Sequence, residues 1–171
     1  RLTDVTGVQT CALPISKAYA MTGFRLGWAC GPADLIAGMT KIHQYTMLCA
    51  PITSQMAAQE ALRARSGKSV QEMKREYNRR RRYIVDALNE IGLDCHLPQG
   101  AFYVFPSIRS SGQTSLEFAH GLLHSKKVAL VPGGAFGPSC EGFVRISYAS
   151  SFENLKEAVA RIKEYLAELK K

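Results

Sequence analysis

Three basic side chains in this sequence sit where chemistry is a better explanation than solvation. Lys17 follows Ser16 in the run Ser16-Lys17-Ala18-Tyr19-Ala20-Met21-Thr22-Gly23-Phe24-Arg25-Leu26-Gly27-Trp28. A lysine amine condenses with an aldehyde once it can shed its proton, which a partly desolvated site permits. Arg25, a little further on, carries a planar fork that makes two parallel charge-assisted hydrogen bonds to a phosphate. Gly23 and Gly27 let the backbone turn tightly and approach a ligand. The third side chain is Arg145, in Phe143-Val144-Arg145-Ile146-Ser147-Tyr148-Ala149. Strand alternation puts Val144, Ile146 and Tyr148 on one face, with Arg145 and Ser147 on the other. A cation in mid-strand is costly to bury and wants an anionic partner, ordinarily a structural carboxylate.

The elements that must hold these residues follow from periodicity. Thr22 to Cys30 reads as a buried strand leaving the lysine segment, and Pro32 suits the first position of a helix. Leu35, Ile36, Met39 and Ile42 recur at helical spacing through about Tyr45. A second helix, capped by Thr53 or Ser54, runs to Arg63, with Ala57, Ala58 and Ala61 as packing positions. Ser69–Glu72 has capping-box spacing before a long helix striped by Met73, Tyr77, Ile84, Leu88 and Ile91, and Gly92 is its stop. Arg79 to Arg82 sweep right round that helix, which reads as a solvated or interface-facing surface. Beyond Gly92 come short strands at Asp94–Leu97, Ala101–Phe105 and Val128–Val131, with a helix capped by Ser115 between the last two. After the Arg145 strand, a terminal helix capped by Ser150 is striped by Leu155, Val159, Ile162, Leu166 and Leu169.

A chain of 171 residues can bury a sizeable core, and its composition is that of a soluble α/β protein. Mean hydropathy is near zero, and no apolar run is long enough to span a bilayer, so no membrane partner is expected. The five cysteines are widely spaced and form no CxxC or Cys/His metal pattern, which fits free thiols in a reducing cytoplasm. The net charge of +8 makes nucleic acid a partner to weigh. The four consecutive arginines cannot all face one ligand, however, and no nucleic-acid role is assigned.

The lysine run resembles the cofactor-lysine segment of class I/II aminotransferases, which are fold-type I pyridoxal-phosphate enzymes. Three later strings look like the same family: Pro98-Gln99-Gly100-Ala101-Phe102-Tyr103, Val131-Pro132-Gly133-Gly134-Ala135-Phe136-Gly137 and Gly142 to Ala149. Their order and spacing agree with the family's C-terminal half. The resemblance implies that Lys17 anchors pyridoxal 5'-phosphate and shuttles the proton at the substrate Cα. It also implies that Ser16 and Arg25 contact the cofactor, Arg25 clamping its phosphate, and that Arg145 holds the substrate α-carboxylate. Amino acid and 2-oxo acid are the implied substrates, with an aromatic amino acid or aspartate as donor, and the implied assembly is a cytoplasmic homodimer. No metal is implied. A lyase or synthase of the same fold, or an aminotransferase-like effector domain of a transcription regulator, shares these residues and is the alternative.

Two departures go with the resemblance. Members often carry a phosphate-binding serine three residues before the lysine, where this chain has Pro14. The run Asp4 to Ile15 resembles a translated sequencing adapter, so residues 1–15 are expected to be non-native and take no part in the reading. The expected organisation is then an α/β fragment of the fold-type I architecture. Residues 16–65 close the large cofactor-binding domain, 66–92 form a linking helix and 93–171 a small α/β domain. The acidic partner of the pyridine nitrogen and the ring-stacking aromatic would lie upstream in the family, so this fragment is expected to be inactive alone.

Overall fold

The computed structural model describes residues 11–63 and 67–169, with side chains from Lys17 onward. Arg1 to Thr10 of the adapter-like stretch lie outside the described residues, as does the break at Arg65-Ser66. The chain clusters into two units, Arg1–Gln71 and Glu72–Lys171.

In the first unit, β1 (Cys11–Pro14) and β2 (Gly27–Cys30) pair as an antiparallel ribbon, with Pro14 opposite Gly27. The short helix α1 (Ile15–Ala18) and a 3-10 turn over Thr22–Phe24 occupy the reversal between them. The buried strand expected over Thr22 to Cys30 is therefore shorter, and it is largely exposed. Arg25 breaks it with a φ of +49°, a left-handed conformation that no strand accommodates. Among the described residues β1 is the only partner of β2, so no sheet covers it. That β1 falls in the adapter-like stretch is no obstacle, because a ribbon asks only for two extended backbones.

The helices α2 (Ala33–Thr46) and α3 (Ile52–Arg63) follow. Because α3 begins at Ile52, neither Thr53 nor Ser54 caps it. Ser54 is instead buried, and its hydroxyl donates to the Phe24 carbonyl at 2.8 Å, tying α3 to the 3-10 turn. Ala58 is buried as a packing position, but the apolar stripe of α2 is not: Leu35, Met39 and Ile42 are all exposed.

The helix α4 (Lys68–Glu90) starts too early for Ser69 to cap it and ends as expected. Gly92 takes φ +89°, and Leu93 N–H reaches back to Leu88 O at 3.0 Å. Three of the four arginines are not simply solvated. Arg79 lies 4.3 Å over the Phe152 ring, Arg80 donates to Ser150 O at 2.6 Å, and Arg81 donates to Pro98 O. Their guanidinium groups find carbonyls and a ring on neighbouring segments.

The sheet of the second unit has the order β3-β5-β4, antiparallel throughout, from β3 (Tyr103–Val104), β4 (Val131–Pro132) and β5 (Val144–Ser147). Its inner face, with Val144 and Val104, packs on Ile84 and Leu88 of α4, Phe118 and Leu122 of α5 (Ser115–Lys126) and Ile162 of α6 (Phe152–Glu168). The strands are shorter than alternation suggests. At Asp94–Leu97 there is none, because the Asn89 side chain takes both backbone groups of Cys95, each at 3.0 Å, in place of a neighbouring strand. Val128 to Leu130 runs unpaired into β4. Two caps shift by one residue: Thr114 caps α5 through a reciprocal box with Glu117, and Ser151 caps α6. Among the described residues, no helix is long and apolar enough to cross a membrane.

Candidate active site

Lys17 stands on the single turn of α1 with its side chain exposed. That turn packs on the Thr22–Phe24 turn, whose C-terminal cap is Arg25. One small assembly thus carries both the amine and the first guanidinium. Arg25 is exposed, and among the described residues its guanidinium makes one hydrogen bond, to Thr22 O at 3.5 Å. A bond that long is weak and leaves the fork almost unspent. The Ser16 side chain lies outside the described residues. An exposed amine and a guanidinium with donors in reserve, carried on one small assembly, fit a phosphate-bearing aldehyde.

Arg145 belongs to the second unit. It sits on the middle strand, opposite Val131 of β4, with Val144 and Tyr148 turned to the core on the other face. The guanidinium carbon lies 4.5 Å from the centre of the Tyr103 ring and 4.8 Å from that of Phe136. Both distances fall within cation–π range. Among the described residues, no carboxylate pairs with Arg145. The structural carboxylate that a mid-strand cation ordinarily finds is replaced by two aromatic rings.

Phe136 ends a 3-10 turn over Gly133–Phe136, and that turn is pinned to α5. Ser115 N–H and Oγ–H donate to the Glu141 carboxylate at 2.6 and 2.8 Å, while the same hydroxyl accepts from Gly134 N–H at 3.2 Å. The Ser115 N–H, its hydroxyl and the Gly142 N–H hold the Glu141 carboxyl below the usual range. Gly133 is obligatory here, because a Cβ would run into the carbonyl oxygens of Cys140 and Phe143.

Sequence reasoning missed Tyr103, Phe136 and the Ser115–Glu141 tie. Tyr103 reaches the Arg145 face through its pairing with Ser147, a register that only the folded sheet reveals. Phe136 gave no signal either, since a 3-10 turn has no strand periodicity to announce its direction.

Residues 8–162 match the family described as aminotransferase class I and II. The chain belongs to that family. The aspartate aminotransferase of Pyrococcus abyssi (strain GE5 / Orsay) is 49% identical over 91% of this chain and 40% of its own length. Aromatic-amino-acid aminotransferase 2 of Thermococcus litoralis is 46% identical, again over 91% of this chain and 40% of that protein. Among solved structures, an aromatic aminotransferase from Pyrococcus horikoshii OT3 superposes with a TM-score of 0.88 at 46% identity, covering 94% of this chain and 43% of that one. The chain therefore spans about two fifths of the length of the relatives it matches, and its mixed α/β architecture is that of fold-type I pyridoxal-phosphate transferases, with portions of the large and small domains.

Proposed function

We propose that the whole protein is a pyridoxal-phosphate-dependent aminotransferase acting between an amino acid, aromatic or aspartate, and a 2-oxo acid. The observation that carries this reading is Arg145, a half-buried guanidinium flanked by rings, with no carboxylate of the described residues to neutralise it. An α-carboxylate is the ligand such a fork takes. When bound, pyridoxal phosphate supplies an electron sink beside the substrate Cα. Lys17 anchors the cofactor through its amine and moves the proton at that Cα, a task that needs an amine able to change protonation state. Arg25 and Ser16 hold the phosphate, and Arg145 orients the substrate by its carboxylate. The names of the similar proteins, aspartate and aromatic aminotransferases, support the choice of donor.

A cytoplasmic homodimer belongs to the same proposal. Cys30, Cys49, Cys95 and Cys140 are free thiols, which suits a reducing compartment. Exposed apolar residues such as Ile42, Tyr45 and Met56 on α2 and α3 suit a covering subunit. The test of the site assignment is a split between two variants of the whole protein. Arg145→Lys keeps the charge but loses the two-point grip, so KM for the donor should rise about ten- to a hundred-fold with the cofactor retained. Arg25→Ala should weaken cofactor retention first. Unchanged donor kinetics in Arg145→Lys would make Arg145 a structural residue and remove the assignment.

A further inference from the structure

We infer that Tyr103 and Phe136 are positioning residues that set the Arg145 guanidinium for carboxylate capture. The inference rests on the carboxylate-binding reading of Arg145 given above. The two rings come from different elements, β3 and the 3-10 turn after β4, and both lie within 5 Å of the same guanidinium carbon. The guanidinium carbon lies over both rings, and among the described residues neither Tyr103 nor Phe136 takes a hydrogen bond from the guanidinium, so its N–H donors are left for a ligand. A long arginine loses considerable rotamer freedom when it grips a ligand. A guanidinium already held in place pays less of that cost at the moment of binding.

The backing of Phe136 is what separates a positioning device from chance packing. Its ring meets Phe105 edge-on at 5.9 Å and 77°, and Phe105 stacks on Phe143 at 5.5 Å with planes 5° apart. Arg109 closes the far end of the row, 5.1 Å over Phe143. Tyr103 is itself backed by Phe102 at 4.4 Å. The turn bearing Phe136 is fixed independently by the Ser115–Glu141 tie and by Gly133 N–H donating to Phe143 O at 2.9 Å. Phe136 nonetheless keeps 45% of its surface exposed, so its ring is not there simply to fill a core.

Leucine separates the two roles, since it keeps an apolar cover and removes the π face. The 15N-labelled whole protein is titrated with succinate while the Arg145 Nε–Hε resonance is followed, assigned by its loss in Arg145→Lys. Urea midpoints are recorded in parallel. In the unsubstituted protein the resonance should move saturably. Phe136→Leu and Tyr103→Leu should each weaken succinate binding about two- to tenfold, with the Arg145 resonance displaced before any succinate is added. Phe136→Tyr and Tyr103→Phe, which keep the rings, should bind as the unsubstituted protein does. Leucine variants that bind succinate with full affinity would overturn the inference while leaving Arg145 as the carboxylate ligand. No saturable shift at Arg145 in the unsubstituted protein would remove the carboxylate reading itself, and the inference with it.

Discussion

Tyr148→Phe isolates one buried hydrogen bond on which the geometry around Arg145 depends. The Tyr148 ring is almost wholly buried, and its hydroxyl donates to the Ala101 carbonyl at 2.8 Å. Ala101 sits at φ +62°, an unfavourable conformation for a residue with a side chain, two residues before Tyr103. Removing the hydroxyl deletes the bond and leaves the carbonyl without that partner. The lost bond is worth about 1 kcal/mol and the stranded acceptor adds to it, so a total of about 1–2 kcal/mol is expected. With a urea dependence of about 1.5 kcal/mol per molar, the midpoint should fall by roughly 1 M at unchanged slope. Urea unfolding followed by far-UV circular dichroism measures it. Tyr83→Phe is the control: Tyr83 tilts against Phe152 at 4.7 Å and its hydroxyl has no hydrogen bond among the described residues, so its midpoint should hardly move. There is also a pH signature. Burial pushes the Tyr148 phenol above its ordinary value. As pH rises past about 10, the unfolded chain releases this proton before the native one does, so stability falls with pH. Tyr148→Phe should lack that component. A variant as stable as the parent at neutral pH would refute the reasoning.

Other expectations concern where stability resides. Ile162→Ala, at 1% exposure in the second unit, should cost about 2–5 kcal/mol by urea unfolding. Ile42→Ala, at 67% exposure on α2, should stay within about 0.5 kcal/mol. Ser151→Ala removes the hydroxyl that accepts from Asn154 N–H at 3.2 Å and should cost about 1 kcal/mol by the same assay. With a thiol reagent near neutral pH, the exposed Cys30 and Cys49 should be labelled quickly. Cys95, buried and with its thiol pushed up to about 11, should react only on unfolding, which mass spectrometry of the labelled peptides resolves.

The α-helices were legible because their apolar stripes are long. Leu155, Val159, Ile162 and Leu166 all reach the core as their spacing demands. Caps slipped by a residue because neighbouring hydroxyls compete: Thr114 and Ser115, or Ser150 and Ser151, look alike until the backbone chooses. Strands were harder to read, since pairing is non-local. Nothing local in Asp94 to Leu97 says that Asn89 will satisfy Cys95 in place of a strand. The exposed stripe of α2 shows the reverse case, a correct periodicity whose burial no described neighbour provides. At the candidate site, the charged residues were read from motif, and Arg145 also from the cost of burying a mid-strand cation. The rings around Arg145 were not, because aromatic residues in a β-rich stretch are ordinarily read as core.

The proposed function stands or falls with Lys17 as the cofactor anchor of an amino-transferring enzyme. Incubating the whole protein with pyridoxal phosphate, reducing with borohydride and mapping the labelled peptides tests it directly. Stoichiometric label on Lys17 is expected, displaced by a donor amino acid before reduction, with neither label nor turnover in Lys17→Ala. Label scattered over surface lysines, or label and turnover that survive Lys17→Ala, would contradict it.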